Sequence, residues 1–163
     1  MPKPTLYLDV DDTIVAVCYE GSGFDLRPGV MTQLRVLSKL FNCVWLTCWD
    51  KKRVFELTRL LYGNRINKDF QYADWSEAHP QRKAGYVLNP KHDQNFWWLE
   101  DPLCREEIDA LTGAGKLDRY VQVESFGQWA FLDAVNELFR RTGIGSNDIK
   151  RVGENPEWFQ RRD

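Results

Sequence analysis

No run in this chain approaches the ~18–20 consecutive apolar residues of a membrane-spanning helix, so no membrane partner is expected. Its start, Met1-Pro2-Lys3-Pro4, leads straight into a strand-like stretch without the look of a secretory leader. Histidine is scarce, with only His79 and His92. The four cysteines (Cys18, Cys43, Cys48 and Cys104) contain no CxxC pair, so a zinc centre lacks a closely spaced ligand set. A disulfide framework belongs to small extracellular domains with little core. The cysteines therefore read as reduced, mostly buried thiols, and the protein as cytoplasmic. There is little excess charge of either sign. A net charge of −2 gives no global electrostatic reason for a nucleic-acid partner. Internal repeats and low-complexity linkers are absent as well.

What remains is an ordinary globular composition. The chain has 163 residues, of which 43% are hydrophobic and 28% charged, which predicts one domain with a substantial core. Seven tryptophans suggest a bulky core or a stacking surface. Three apolar runs each end abruptly in chemically capable residues. Leu6-Tyr7-Leu8 leads into Asp9-Val10-Asp11-Asp12-Thr13, Cys43-Val44-Trp45-Leu46 into Thr47, and Phe96-Trp97-Trp98-Leu99 into Glu100-Asp101.

The pattern predicts strands over 5–10, 43–47, 70–72, 95–99 and 120–123. Helices are predicted from Arg27-Pro28-Gly29 through Leu40, over 50–62 with a stop at Gly63, over 81–88, over 104–113, and from Trp129 through Phe139. Alternating strands and helices imply an α/β fold, a Rossmann-like three-layer sandwich around a mainly parallel five-stranded sheet. Residues 14–26, with Gly21, Ser22 and Gly23, read as a short turn or flap, and residues 143–163 as a tail docked by Trp158 and Phe159. Trp97 and Trp98, adjacent on a strand, should point to opposite faces.

In an open parallel sheet, ligands bind beyond the carboxyl ends of the strands. If the three runs are neighbours, a hydroxyl and several carboxylates meet at one edge. Such a cluster repels itself unless a divalent cation joins it, and hard oxygen donors suit magnesium. Asp9 and Asp11 are two apart, so on extended backbone they share one side. One carboxylate can attack phosphorus to form an aspartyl-phosphate. The other can protonate the leaving oxygen and then activate water. Thr47 could donate to a phosphoryl oxygen and a lysine could neutralise developing charge.

Asp9-Val10-Asp11-Asp12-Thr13 resembles the DxDxT first motif of the haloacid dehalogenase (HAD) superfamily. Thr47 resembles its second motif and Glu100-Asp101 its acidic fourth, in the right order. The resemblance implies Asp9 as nucleophile, Asp11 as general acid/base with its carbonyl on magnesium, and Thr13 fixing the loop. It implies Asp101 as a direct Mg2+ ligand, with Glu100 acting directly or through water. The third-motif lysine is Lys83 by spacing, with Lys91, just after Pro90, as the alternative. An acid at position 11 disfavours dehalogenation, and the Lys-Thr-Gly-Thr run of the family's ATPases is absent. Segments too short for a large cap domain imply a capless member with an open site. The expected function is a magnesium-dependent phosphomonoester hydrolase. Nucleic-acid ends (a polynucleotide-end phosphatase of repair), phosphoproteins and small phosphate esters remain as substrate classes, and a non-catalytic HAD-like binding module is the contrasting reading. The oligomeric state is open.

Two other readings fit less well. Asp9 to Glu20 partly matches a calcium loop, but Ile14 stands where that loop needs glycine. A receiver domain would not place acids after its lysine. Arg140-Arg141, Lys150-Arg151 and Arg161-Arg162 are interleaved with acids and read as a solvated surface.

Overall fold

Thr5–Leu8 (β1) is buried along its whole length, as a strand covered on both faces must be, and its four residues carry no polar group beyond Thr5 and the Tyr7 hydroxyl. The structure, a computed structural model, describes residues 2–19, 23–62 and 70–160. The expected stop at Gly63, the residues Gly21 and Ser22, Glu20 of the calcium-loop reading, and Arg161-Arg162 lie outside them, as does the side chain of Trp158.

After β1 come a hairpin of β2 (Val15–Tyr19) and β3 (Gly23–Leu26), then α1 (Val30–Leu40), β4 (Asn42–Trp45), α2 (Lys51–Tyr62) and β5 (Phe70–Tyr72). The second half runs α3 (Arg82–Val87), β6 (Phe96–Glu100), α4 (Arg105–Gly113), β7 (Tyr120–Gln122), α5 (Ala130–Thr142) and α6 (Ser146–Arg151). Five strands form one parallel sheet in the order β5-β4-β1-β6-β7. The chain builds outward from β1 to β5, then crosses back to β6 on the other side of β1. The topological switch, where open α/β sheets bind ligands, is therefore at the tips of β1 and β6.

Alternation along the strands sorts the core into two faces. Leu6, Leu8, Trp45, Trp97 and Leu99 pack with Leu34 and Leu37 of α1, Val54 and Leu57 of α2, and Phe131, Val135 and Leu138 of α5. Tyr7, Val44, Phe96 and Trp98 pack with Ala84 and Val87 of α3 and Leu111 of α4. The adjacent tryptophans do point to opposite faces. The result is an α/β three-layer sandwich of the Rossmann-like kind, as the sequence predicts. Among the described residues no helix is long and apolar enough to cross a membrane.

Several local expectations change. The segment read as a short turn or flap, residues 14–26, carries two strands, β2 and β3, paired antiparallel. Pro28 lies outside α1, because Gly29 caps the helix in a left-handed conformation, φ +77°, that prevents the helix from starting earlier. The tail folds into α6 and a 3-10 turn over Pro156–Phe159, with the ring of Phe159 5.2 Å from that of Phe139. Of the three cysteines whose side chains are described, Cys43 is buried. Cys48 is exposed and Cys104 half-buried, because both sit on loops at the sheet edge, not in strands.

Gly29→Ala tests the start of α1. The new Cβ would be forced to a positive φ and would lie 2.8 Å from Nε2 of the buried Gln33. The expected loss is about 1–2 kcal/mol, read as a lower urea midpoint with an unchanged slope.

Candidate active site

β1, β4 and β6 are in register, with Leu8 opposite both Trp45 and Leu99. Their tips therefore end side by side. Asp9 follows β1, Glu100 is the last residue of β6, Asp101 is next, and Thr47 lies two residues beyond β4. One carboxylate oxygen from each of Asp9, Glu100 and Asp101 lies within 4.8 Å of the others. Asp9 and Glu100 are buried and Asp101 is half-buried.

Lys83, on α3, joins the cluster from the helical layer. Its Nζ donates to Asp9 Oδ1 at 2.7 Å and to Glu100 Oε1 and Oε2 at 2.9 and 2.8 Å. Its backbone N–H donates to Oε1 of Glu107 at 3.1 Å, so a carboxylate from α4 anchors the first turn of α3. Lys91 is exposed, so of the two candidate lysines the site contains Lys83. Trp98 Nε1–H donates to Glu100 Oε2 at 3.1 Å, and Tyr120 Oη–H to the carbonyl of Asp101 at 2.9 Å.

Burial raises the Asp9 carboxyl above the ordinary carboxylate range, against the pull of Lys83. Glu100 is raised well above it, by burial first and by the neighbouring Asp9 second. Burial would lower Lys83, but Asp9 and Glu100 outweigh it and hold the ammonium charged. Three carboxylates against one ammonium leave negative charge uncompensated among hard oxygen donors, a donor set that fits magnesium.

Thr47 is buried, and its Oγ1 accepts from the Trp49 amide at 3.2 Å. Its carbonyl accepts from Trp75 Nε1–H at 2.9 Å. Trp75 also lines a cleft of about 220 Å³ beside Lys83 and Asp101, with Cys48, Arg82 and Leu103 on its walls. Trp49, by contrast, is core.

Asp11 departs from expectation. The chain turns instead of staying extended, because the amides of Ile14 and Val15 both donate to the Val10 carbonyl, at 3.0 and 2.9 Å. Asp12 is left-handed, φ +53°. The Asp11 carboxylate is exposed and stands outside the three-carboxylate group. It is raised by partial burial, then by Asp12. The hydroxyl of Thr13 is buried with no hydrogen-bond partner among the described residues, so it does not fix this loop by hydrogen bonding. Arg27 does, through the Asp12 carbonyl at 2.7 Å. The supporting residues Arg27, Trp98 and Glu107 carry no sequence signal for their roles. No family model and no curated protein matches this chain.

Lys83→Met leaves two buried carboxylates without their cation. The expected cost is about 3–5 kcal/mol at neutral pH. Carboxyls raised in the folded state remove stability as pH rises, so part of this loss is regained as pH falls toward the unfolded carboxylate value of about 4. Denaturant titrations at two pH values check both. Cys48, although exposed, is pushed up to about 11 by burial of its thiol and by Glu77 and Asp9, against Lys83. Its alkylation should be slow at pH 7.5 and accelerate until about pH 11.

Proposed function

We propose that this chain is a phosphomonoester hydrolase of the HAD type, with an open, capless site and magnesium as its metal. The observation that carries the reading is the buried Lys83 ammonium shared between Asp9 and Glu100, beside Asp101, at the switch point of a parallel sheet. A structural ion pair has no need of a third carboxylate at that spot, since unpaired charge next to a buried pair is costly. A reaction centre for an anionic substrate does.

Asp9, Glu100 and Asp101 would hold the magnesium, which when bound supplies positive charge to offset the carboxylates and the phosphate. The residues of the chain do the rest. The Asp9 carboxylate attacks phosphorus, the phosphorus–ester oxygen bond breaks, and Asp11 gives its proton to the departing alkoxide. The Asp11 carboxylate then takes a proton from water as the water oxygen attacks phosphorus. The bond to Asp9 breaks and inorganic phosphate leaves. Lys83 balances charge on the phosphoryl oxygens, and the Thr47 hydroxyl, so far only an acceptor, has a proton to donate to one of them. Exposure of Asp11 suits a group that must meet both an alcohol and water.

Basic side chains give no particular support to a nucleic-acid substrate. Arg140 and Arg141 are committed to Glu137, at 2.6 and 2.7 Å.

Asp9→Asn removes the nucleophile and keeps the shape. Phosphate release from a panel of phosphate esters, with and without Mg2+, is expected to fall by at least about a thousandfold. Release at the wild-type rate would refute the assignment. A wild-type protein inactive on every ester with Mg2+ present would favour the binding-module reading.

A further inference from the structure

We propose that Arg27 is the positioning residue that holds Asp11 where it can pass its proton to the leaving group, an inference that rests on the phosphatase reading above. Arg27 is 3% exposed, deep for a guanidinium. Burial disfavours its charge, and the nearby Asp12 carboxylate supports it. Its donors go to carbonyl oxygens of two loops. Nη2 donates to Asp12 at 2.7 Å and to Ser125 at 3.0 Å, and Nη1 to Gly127 at 2.8 Å. Its backbone N–H donates to the Ile14 carbonyl at 3.1 Å.

The strand order shows what this clamp spans. The Asp12 loop follows β1, and residues 125–127 follow β7, while β6 lies between those strands. The guanidinium therefore ties together the loops on either side of the tip that presents Glu100 and Asp101. At one end it grips Asp12, whose φ of +53° is a conformation that non-glycine residues rarely hold unaided. The gripped carbonyl belongs to the Asp12–Thr13 peptide; once it is released, Asp12 can leave its left-handed conformation, and that turns the Asp11–Asp12 peptide beside it. At the other end it grips Gly127, also at positive φ, +109°. A planar fork with donors on two nitrogens can reach both loops at once; a lysine ammonium, a single point, cannot match it. The buried Thr13 hydroxyl leaves this task to Arg27.

The test compares Arg27→Lys and Arg27→Gln with wild type on two magnesium-supplemented substrates. One is p-nitrophenyl phosphate, whose phenolate leaves with little protonation. The other is a simple alkyl phosphate, whose alkoxide must be protonated. A misplaced acid lowers kcat for the alkyl ester by about tenfold to a hundredfold. On the aryl ester kcat should change less than about threefold, with KM little altered on both. Asp11→Asn should show the same selectivity. Hydrogen exchange supplies a readout independent of turnover. The Ile14 and Val15 amides should lose protection in Arg27→Lys while those of β1 and β4 keep theirs.

Equal kcat losses on both esters, a loss confined to KM, or unchanged protection at Ile14 and Val15 would each overturn the proposal. Should Arg27→Gln fail to fold, Arg27→Lys carries the comparison. A wild-type protein that hydrolyses neither ester overturns the phosphatase reading itself, an outcome distinct from a variant that loses selectivity.

Discussion

One ammonium shared by two buried carboxylates governs the rest of this molecule. Lys83 comes from the helical layer, while Asp9 and Glu100 come from adjacent strand tips, so the contact joins α3 to the sheet at its centre. Two carboxylates can stay this close and this buried only with fixed positive charge between them. The neighbouring polar contacts serve the same end. Glu107 holds the backbone of Lys83, Trp98 steadies Glu100, and Tyr120 steadies Asp101. Each is a donor or acceptor whose removal would let a charged group drift in a place where drift is expensive.

The two layers of helices divide the labour. α1, α2 and α5 bury the larger apolar cluster and give the sheet its platform. α3 and α4 bury less, but they bring Lys83 and Glu107 to the edge that carries the carboxylate cluster. The short helix α3 would have little reason to persist alone. It is held by Ala84 and Val87 against the sheet and by Glu107 at its first turn. Lys83 is thus carried by an element whose stability is almost entirely tertiary.

The strands, their parallel pairing and most helices were legible because a strand covered on both faces must be apolar throughout and can turn polar only where it emerges at the sheet edge. Asp9, Lys83, Glu100 and Asp101 were legible as candidates because chemistry-bearing residues sat directly after those runs or at a telling spacing. What escaped was set by three-dimensional context. The turn after Asp9 depends on two amides meeting one carbonyl and on a left-handed Asp12, and neither is written in residue type. Arg27 looks like any arginine before a proline. Its significance lies in loops about a hundred residues away that its guanidinium reaches. The exposure of Cys48 followed from the loop after β4, not from the apolar character of cysteine. The helix α6 was missed because six mixed-charge residues show almost no apolar periodicity; Ile149 is its one buried side chain.

The pairing of Leu8 with Leu99 places Asp9 directly across from Glu100 on the neighbouring strand. Side chains on a strand alternate between faces, so sliding β6 by one position would exchange the environments of Trp97 and Trp98 and carry Glu100 away from the lysine. Natural variation in chain length should therefore be concentrated at the surface connection over 114–116 and excluded from 96–100. An insertion in that strand would cost packing and charge balance in a single event.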